Sequence, residues 1–157
     1  MKRCSREYIA TMAAAAAMIL LGAADRAWAL GCVASATPIA FGTYQPLHPD
    51  DGVSVSTITY SCTGVKGRVR IGLSRGDSGN FARRVMHQGN HKLEYNLYMD
   101  ASLVSIWGDG SGGSQLYITS APANNAPVTL TVYGRINARQ DAHSGMYQDN
   151  IFVTIDP

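Results

Sequence analysis

The chain has 157 residues, enough for one domain, and its formal net charge is +2 at pH 7. A leading segment, residues 1–29, carries four of the 13 basic and two of the 11 acidic residues, so nine of each remain after it. The remainder is formally neutral, so its net charge does not point to binding of nucleic acid or of an anionic membrane.

Residues 1–29 have the features of a secretory signal peptide. The basic start consists of Lys2, Arg3 and Arg6. An apolar run over residues 9–24 follows, and it is shorter than the roughly 20 residues of a membrane-spanning helix. An Ala-Trp-Ala tripeptide ending at Ala29 supplies the small residues of a cleavage site. We therefore expect cleavage after Ala29, an exported domain over residues 30–157 and no membrane span after cleavage.

Two cysteines, Cys32 and Cys62, remain in the exported part, because Cys4 belongs to the leading segment. In an oxidising compartment such a pair is expected to form a disulfide. The bond would close a loop of about 31 residues and contribute roughly 3–4 kcal/mol to stability. A metal-binding pair is the alternative, but no CxxC motif and no nearby Cys or His partner supports it.

The exported part alternates apolar and polar residues in short runs, which is typical of strands with one buried face. The first strand is predicted over Cys32–Phe41, interrupted by Pro38. The second is predicted over Val53–Cys62, with a bulge where the apolar phase shifts between Val55 and Ile58. Further strands are predicted over Arg68–Leu73, Leu93–Met99, Gln115–Thr119, Val128–Tyr133 and Ile151–Ile155.

Two less regular segments separate these runs. Ser74–Lys92 is predicted to be a long loop, or a loop with a short edge strand, and Ala101–Trp107 a short strand or a helical turn. Turn signals recur about every dozen residues without an amphipathic helical pattern, which predicts an antiparallel β-sandwich. The apolar run at Ile151–Ile155 must pair with something, and its partner is the functional question.

Five blocks of the sequence are similar to those of a known family. They are Cys32–Tyr44 (CVASATPIAFGTY), Ile58–Gly64 (ITYSCTG), Leu93–Gly113 (LEYNLYMDASLVSIWGDGSGG), Leu130–Ile136 (LTVYGRI) and Gly145–Ile155 (GMYQDNIFVTI). In this order, and above all in YNLY and WGDG followed by TVYGRI, the chain resembles the spore coat U domain family. That family includes subunits of archaic, Csu-type chaperone–usher pili. The chain departs from it where Asn137 replaces the usual proline.

The resemblance implies an immunoglobulin-like antiparallel β-sandwich that lacks its final strand. A missing strand leaves an apolar groove and unpaired backbone groups, which strand addition from another chain would fill. The implied partners are a periplasmic chaperone, an outer-membrane usher and sister pilus subunits. The implied location is a cell-surface pilus reached through the periplasm. The groove is expected between the first and last strands, at Ile39, Phe41, Ile151, Val153 and Ile155.

The resemblance also bears on the position in a fibre. Pilus subunits of this kind donate an extension that precedes their first cysteine. Cleavage after Ala29 leaves Leu30 and Gly31 before Cys32, too few for a donor strand of about five residues. The chain is therefore expected to accept a strand without donating one, as a tip or minor subunit. The alternative is a secreted coat or envelope protein of the same fold that does not polymerise.

Short motifs that resemble other functional sites are more simply explained by turn chemistry or chance. Arg75-Gly76-Asp77 spells the integrin-ligand triplet, and the Gly-Asp-Ser-Gly run from Gly76 lacks a placed His and Asp for protease chemistry. His87 and His91 have a helical metal spacing, but they stand in a predicted loop. We therefore predict no enzyme activity, no catalytic or metal site and no cofactor.

Overall fold

The computed structural model describes residues 31–157, so the predicted signal peptide at residues 1–29 lies outside the described residues. Two 3₁₀ turns lie at Gly76–Ser78 and Ala123–Asn125. The strands are β1 (Gly31–Ala36), β2 (Gly52–Thr63), β3 (Arg68–Leu73), β4 (Arg84–Gln88), β5 (His91–Tyr98), β6 (Tyr117–Ser120), β7 (Val128–Ile136) and β8 (Val153–Asp156). Nowhere in residues 31–157 does the protein form a helix long and apolar enough to cross a membrane.

The strands form two sheets, one of five strands in the order β1-β2-β7-β5-β4 and one of three in the order β6-β3-β8. Every strand pairing is antiparallel. The edge strands β1 and β8 belong to different sheets, and their Cα atoms come within 8 Å of each other. The fold is therefore the predicted all-β, immunoglobulin-like antiparallel sandwich.

The core lies between the sheets and follows the alternation of the strands. In β5, Leu93, Tyr95 and Leu97 are buried, and in the neighbouring strand β7 Leu130 and Val132 are buried as well. Burying one large apolar side chain contributes about 1.5–3 kcal/mol, so these two strands alone make a large part of the stabilising surface.

The predicted bulge in β2 is wrong, because β2 and β7 pair without interruption over nine consecutive residue pairs. The shift in apolar phase has another cause. Val53 and Val55 face outward and are each 63% exposed, whereas the inner positions at this end of β2 hold Ser54 and Ser56. Serine on an inner face is stable only where its hydroxyl finds a partner.

The partners of these serines come from the segment after β1. Pro38 has no backbone N–H to give to a ladder, and β1 ends at Ala36 rather than at the predicted Phe41. The chain then crosses the inner face of β2, where the Ser56 hydroxyl donates to the Thr37 carbonyl at 2.5 Å. The Ser54 hydroxyl donates to the Ala40 carbonyl at 2.6 Å.

The predicted disulfide between Cys32 and Cys62 is confirmed. These two residues lie directly opposite each other in β1 and β2, with Cα atoms 4.0 Å apart. The Thr37 N–H donates to the Thr57 carbonyl at 2.9 Å, and this fixes the cysteines as a non-hydrogen-bonded pair, in which opposite Cα atoms lie closer. The bond fastens β1, most of whose side chains are exposed, to the sheet.

The two less regular segments adopt different structures. Ser74–Lys92 contains an edge strand, β4, together with the start of β5, in line with the second of the two predicted alternatives. Ala101–Trp107 is mainly a turn, and only its end bridges to neighbouring segments. The Asp100 carboxylate accepts a hydrogen bond from the Ser105 N–H at 2.8 Å and another from Ser102, and these bonds lower the pKa of Asp100.

Candidate functional site

An open groove of about 420 Å³ runs between the two sheets, and it is mainly apolar. One wall is the segment 36–41 that follows β1, and the other is the segment 147–153 that leads into β8. The floor consists of core side chains, among them Ile58, Leu73, Met86, Leu97 and Val132.

The structure brings most of the sequence-predicted groove residues to this cavity. Ile39, Phe41, Ile151 and Val153 line it, two on each wall. Ile155 lies further along β8 and packs, partly buried, against the core. The five residues therefore share the inner side of the sandwich, and four of them face a common space.

The edge of β8 that borders the groove has backbone groups to offer. In residues 31–157, β8 pairs with β3 alone. The Ser74 N–H donates to the Phe152 carbonyl at 2.9 Å, so Phe152 and then Thr154 turn their backbone groups toward β3. By the same alternation, Val153 and Ile155 turn their N–H and C=O groups to the opposite, open edge. This edge therefore combines apolar side chains with backbone donors and acceptors.

The other wall is pressed against the sheet at Gly134 of β7. A Cβ atom at this position would lie 2.5 Å from Ile39 Cδ1 and 2.7 Å from Phe41 Cζ. The Phe41 ring also meets Tyr95 edge-on, with ring centroids 5.9 Å apart. The wall can pack this closely only because residue 134 has no side chain, a requirement that sequence reasoning missed.

Asp149 anchors the wall that leads into β8. Its carboxylate accepts hydrogen bonds from the Tyr95 hydroxyl at 2.7 Å and from the Asp77 N–H at 3.0 Å. Burial and the hydrogen bond to this carboxylate both raise the pKa of Tyr95. A Cβ on Gly76 would overlap the Asp149 carboxylate, and Arg75 pairs with Asp109 at 3.6 Å. All three residues of the Arg-Gly-Asp triplet therefore have structural contacts.

Sequence reasoning did not predict the buried Arg84, which is 0% exposed. Its guanidinium donates to the Ser74 carbonyl from Nε and Nη2, to the Trp107 carbonyl at 2.6 Å and to Asn96 Oδ1 at 2.8 Å. Burial lowers the pKa of Arg84 to about 10. Its even spacing from Met86 was the available signal that it faces inward.

Trp107 packs in the core, where its side chain is 1% exposed. Its indole N–H donates to the Ile71 carbonyl at 2.9 Å. A Cβ on the next residue, Gly108, would overlap Ser114 and would lie 2.7 Å from Phe81 Cδ1. The WGDG block therefore joins the loop to β3 and leaves no room for a side chain at residue 108.

The two histidines with metal-like spacing do not point to a common ligand. His87 lies in β4 and His91 begins β5, on either side of the turn between these strands. The His91 ring stacks on His143, with ring centroids 3.7 Å apart. In the part of the chain that the structure describes, no three His, Cys, Asp or Glu side chains form a group able to hold a metal ion.

The family model described as Spore Coat Protein U domain matches residues 19–154. The chain belongs to this family. Protein U of Myxococcus xanthus is 29% identical over 142 residues, which cover 82% of this chain and 76% of that protein.

The fold of this Spore Coat Protein U domain also has solved counterparts. The CsuC–CsuE chaperone–tip adhesion subunit pre-assembly complex of archaic chaperone-usher Csu pili of Acinetobacter baumannii matches with a TM-score of 0.54 and 21% identity. The match covers 80% of this chain and 38% of that chain, so the present chain spans well under half of it. The minor tip subunit HdaB of the E. coli Hda pilus matches with a TM-score of 0.44 and 17% identity, over 76% of this chain and 80% of that one.

Proposed function

We propose that this Spore Coat Protein U domain protein is a structural subunit of an archaic chaperone–usher pilus. Its groove would accept a strand from another chain, held by Ile39 and Phe41 on one side and Ile151, Val153 and Ile155 on the other. The observation that carries the proposal is the open edge of β8, which presents backbone groups and apolar side chains beside a cavity of about 420 Å³. Strand addition uses these two features together.

The proposed partners follow from this mode of binding. A periplasmic chaperone would fill the groove first, because an open apolar edge invites aggregation. A sister subunit would then replace the chaperone at an outer-membrane usher, and the protein would reach the cell surface in the fibre. The likeness of the fold to a subunit crystallised as a chaperone complex supports this order of events.

A peptide-exchange experiment tests the groove. The protein is co-expressed with a periplasmic pilus chaperone, and the complex is mixed with the N-terminal extension peptide of a sister subunit. The peptide is expected to displace the chaperone from the wild-type protein. Val153→Asp should block the exchange because it puts a charge in the groove, whereas Thr154→Asp, on the exposed face, should not. Equal exchange by both variants would overturn the proposal.

The proposed place in the fibre is an acceptor at the tip, or a minor subunit. It is supported by the expected cleavage after Ala29, which leaves Leu30 and Gly31 before the first cysteine. In mixtures of subunits this protein should accept a sister peptide and displace no chaperone from a sister subunit. Homopolymers of the protein alone, or a mature start well upstream of Asp25, would contradict this placement.

A second candidate function is that of a secreted coat or envelope protein that does not polymerise. The match to Protein U favours it, because this match has a higher sequence identity than the match to the Csu pilus subunit and covers a larger share of the matched protein. The two candidates differ in solution. A coat protein should be a stable, soluble monomer when expressed without partners, and its gene should lack neighbouring genes for a chaperone and an usher.

A further inference from the structure

One wall of the groove continues from a segment that lies across the β4–β5 turn. We call this segment, residues 141–149, the strap. Its Gln148 exchanges backbone hydrogen bonds with His87 of β4 at 2.8 and 3.1 Å. Its Gly145 lies so close to the Gln88 side chain that a Cβ there would come within 2.7 Å of the amide. These contacts hold the strap on the β4–β5 hairpin. Its last residue, Asp149, also accepts a hydrogen bond from the Asp77 N–H in the loop after β3, and its Ala142 and Tyr147 pack against the core.

A further contact is the stack of His143, in the strap, on His91, in β5. The ring centroids are 3.7 Å apart, and the ring planes differ by 24°. Within residues 31–157, no carboxylate oxygen lies within 4.0 Å of a nitrogen of either imidazole. The other titratable or charged groups on the hairpin and the loop that contains the strap are Arg84, His87, Lys92, Glu94, Tyr95, Tyr98, Arg139, Asp141, Tyr147 and Asp149.

Several of these other groups already have partners. Glu94 pairs with Arg83 at 3.3 Å, and Asp149 accepts hydrogen bonds from Tyr95 and Asp77. Two neutral imidazoles stack like other aromatic rings. Histidine ordinarily gains its charge between pH 8 and pH 5, and two positive charges at this separation repel each other strongly where no counter-charge lies close by.

The strap passes directly into the groove wall. Tyr147, Gln148 and Asp149 belong to the strap and also line the groove. The Tyr147 hydroxyl accepts a hydrogen bond from the backbone N–H of His143 at 3.1 Å, which links the backbone at His143 to this wall. We propose that the His91–His143 stack is a pH-sensitive clasp, which holds the part of the strap before Tyr147 against the hairpin at neutral pH and releases it in acid. Its consequence for strand acceptance rests on the proposed function, but the clasp itself does not.

Amide hydrogen exchange tests the clasp directly. The exported full chain is labelled at pH 7.5 and pH 5.5, and the rates are corrected for the intrinsic effect of pH. Peptides that cover the strap should lose protection by at least roughly fivefold at the lower pH. Peptides from the central strands β2 and β7 should keep theirs. Equal strap protection at the two pH values would overturn the proposal.

Two variants separate repulsion from loss of packing. His143→Phe keeps an aromatic ring against His91 but cannot carry a charge, so its strap should be equally protected at both pH values. His48→Phe, in another loop and next to Asp50, should leave the pH effect intact. A pH effect that survives in His143→Phe would also overturn the clasp.

The same variants connect the clasp to the groove. If the groove accepts a strand, the sister-subunit peptide should exchange in at a rate that changes with pH in the wild type and is constant in His143→Phe. If the peptide binds at no pH, the proposed function is overturned. The amide hydrogen-exchange data then test the clasp by themselves. A rate with the same pH profile in both proteins overturns the link between clasp and groove.

Discussion

Single residues show how little space the groove wall leaves. Gly134 is the clearest case, because Ile39 and Phe41 occupy the volume into which its side chain would extend. The inward-facing Ser54 and Ser56 also hold this wall, because their hydroxyls donate to two carbonyls of the segment after β1. The wall is thus fixed by side-chain packing on one strand and by hydroxyl groups on the next.

Gly134→Ala is expected to lower the free energy of unfolding by about 1–3 kcal/mol, the range for overpacking a well-packed interior. Gly52→Ala is the matched control, because its Cβ would meet the Ile136 Cβ at 3.7 Å, an ordinary contact. Urea denaturation of the two variants gives the comparison. Adding Ile39→Ala to Gly134→Ala should restore part of the loss, since the two sites are in contact. Equal stability of the two glycine variants would contradict the close approach.

Arg84 is the second residue whose environment makes a sharp prediction. Arg84→Lys keeps a charge but loses the planar guanidinium group that donates to the Ser74 and Trp107 carbonyls. The free energy of unfolding should therefore fall by about 2–4 kcal/mol. Arg83→Lys is the control, because Arg83 is its exposed neighbour and makes one surface pair with Glu94. Thermal unfolding of both variants checks this, and a similar melting temperature would show that the buried fork is dispensable.

At the scale of elements, strands with strict alternation were predictable from the sequence. In β5, Leu93 and Leu97 are buried as the period requires, although Asn96 and Tyr98 on the other face are buried too. The predictions failed where a distant segment decides the outcome. Val53 and Val55 could face either side of β2, and they face outward because the inner side is bound to the segment after β1. A local pattern carries no information on such a partner.

The same distinction holds for the groove. Ile151 and Val153 follow from the period of the last strand, and the structure places both on the groove wall. Asp149, which anchors this wall, had no signal of its own, because its donors come from β5 and from the loop after β3. Four of the five residues predicted for the groove line the cavity, whereas its apolar floor and the polar contacts that hold it in shape were not predicted.

The loop after β3 offers a test of this anchoring between elements. Gly76 and Gly79 both have left-handed backbones, with φ angles of 64° and 65°. A Cβ at Gly79 meets nothing within 4 Å, whereas one at Gly76 would overlap the Asp149 carboxylate. Gly79→Ala should therefore cost about 1–2 kcal/mol for the backbone alone, and Gly76→Ala should cost more. Urea denaturation measures both, and equal losses would show that Asp149 does not anchor the loop.

At the scale of the whole molecule, the core is buried between the two sheets, and each sheet ends in edge strands. The strand pairings of residues 31–157 cover the inner strands of both sheets, while β1 and β8 are each paired on one side. The disulfide fastens β1, but β8 is a short strand held by β3. An open edge next to an apolar groove is the feature of the molecule most prone to pair with another chain.

The last prediction concerns this open edge. Expressed without partners, the wild-type protein should form aggregates or mixed oligomers, because the edge of β8 can extend a sheet in another copy. Val153→Pro should reduce this association, because the residue's N–H points to the open side and its loss breaks no bond within the sheet. Thr154→Pro is the matched control: its N–H faces β3 opposite Gly72, so it should lower stability without protecting the edge. Size-exclusion chromatography with light scattering, combined with thermal unfolding, distinguishes the variants. A wild-type protein that runs as a single soluble monomer would show that the edge is not available for pairing, and it would favour the coat-protein function over the pilus subunit.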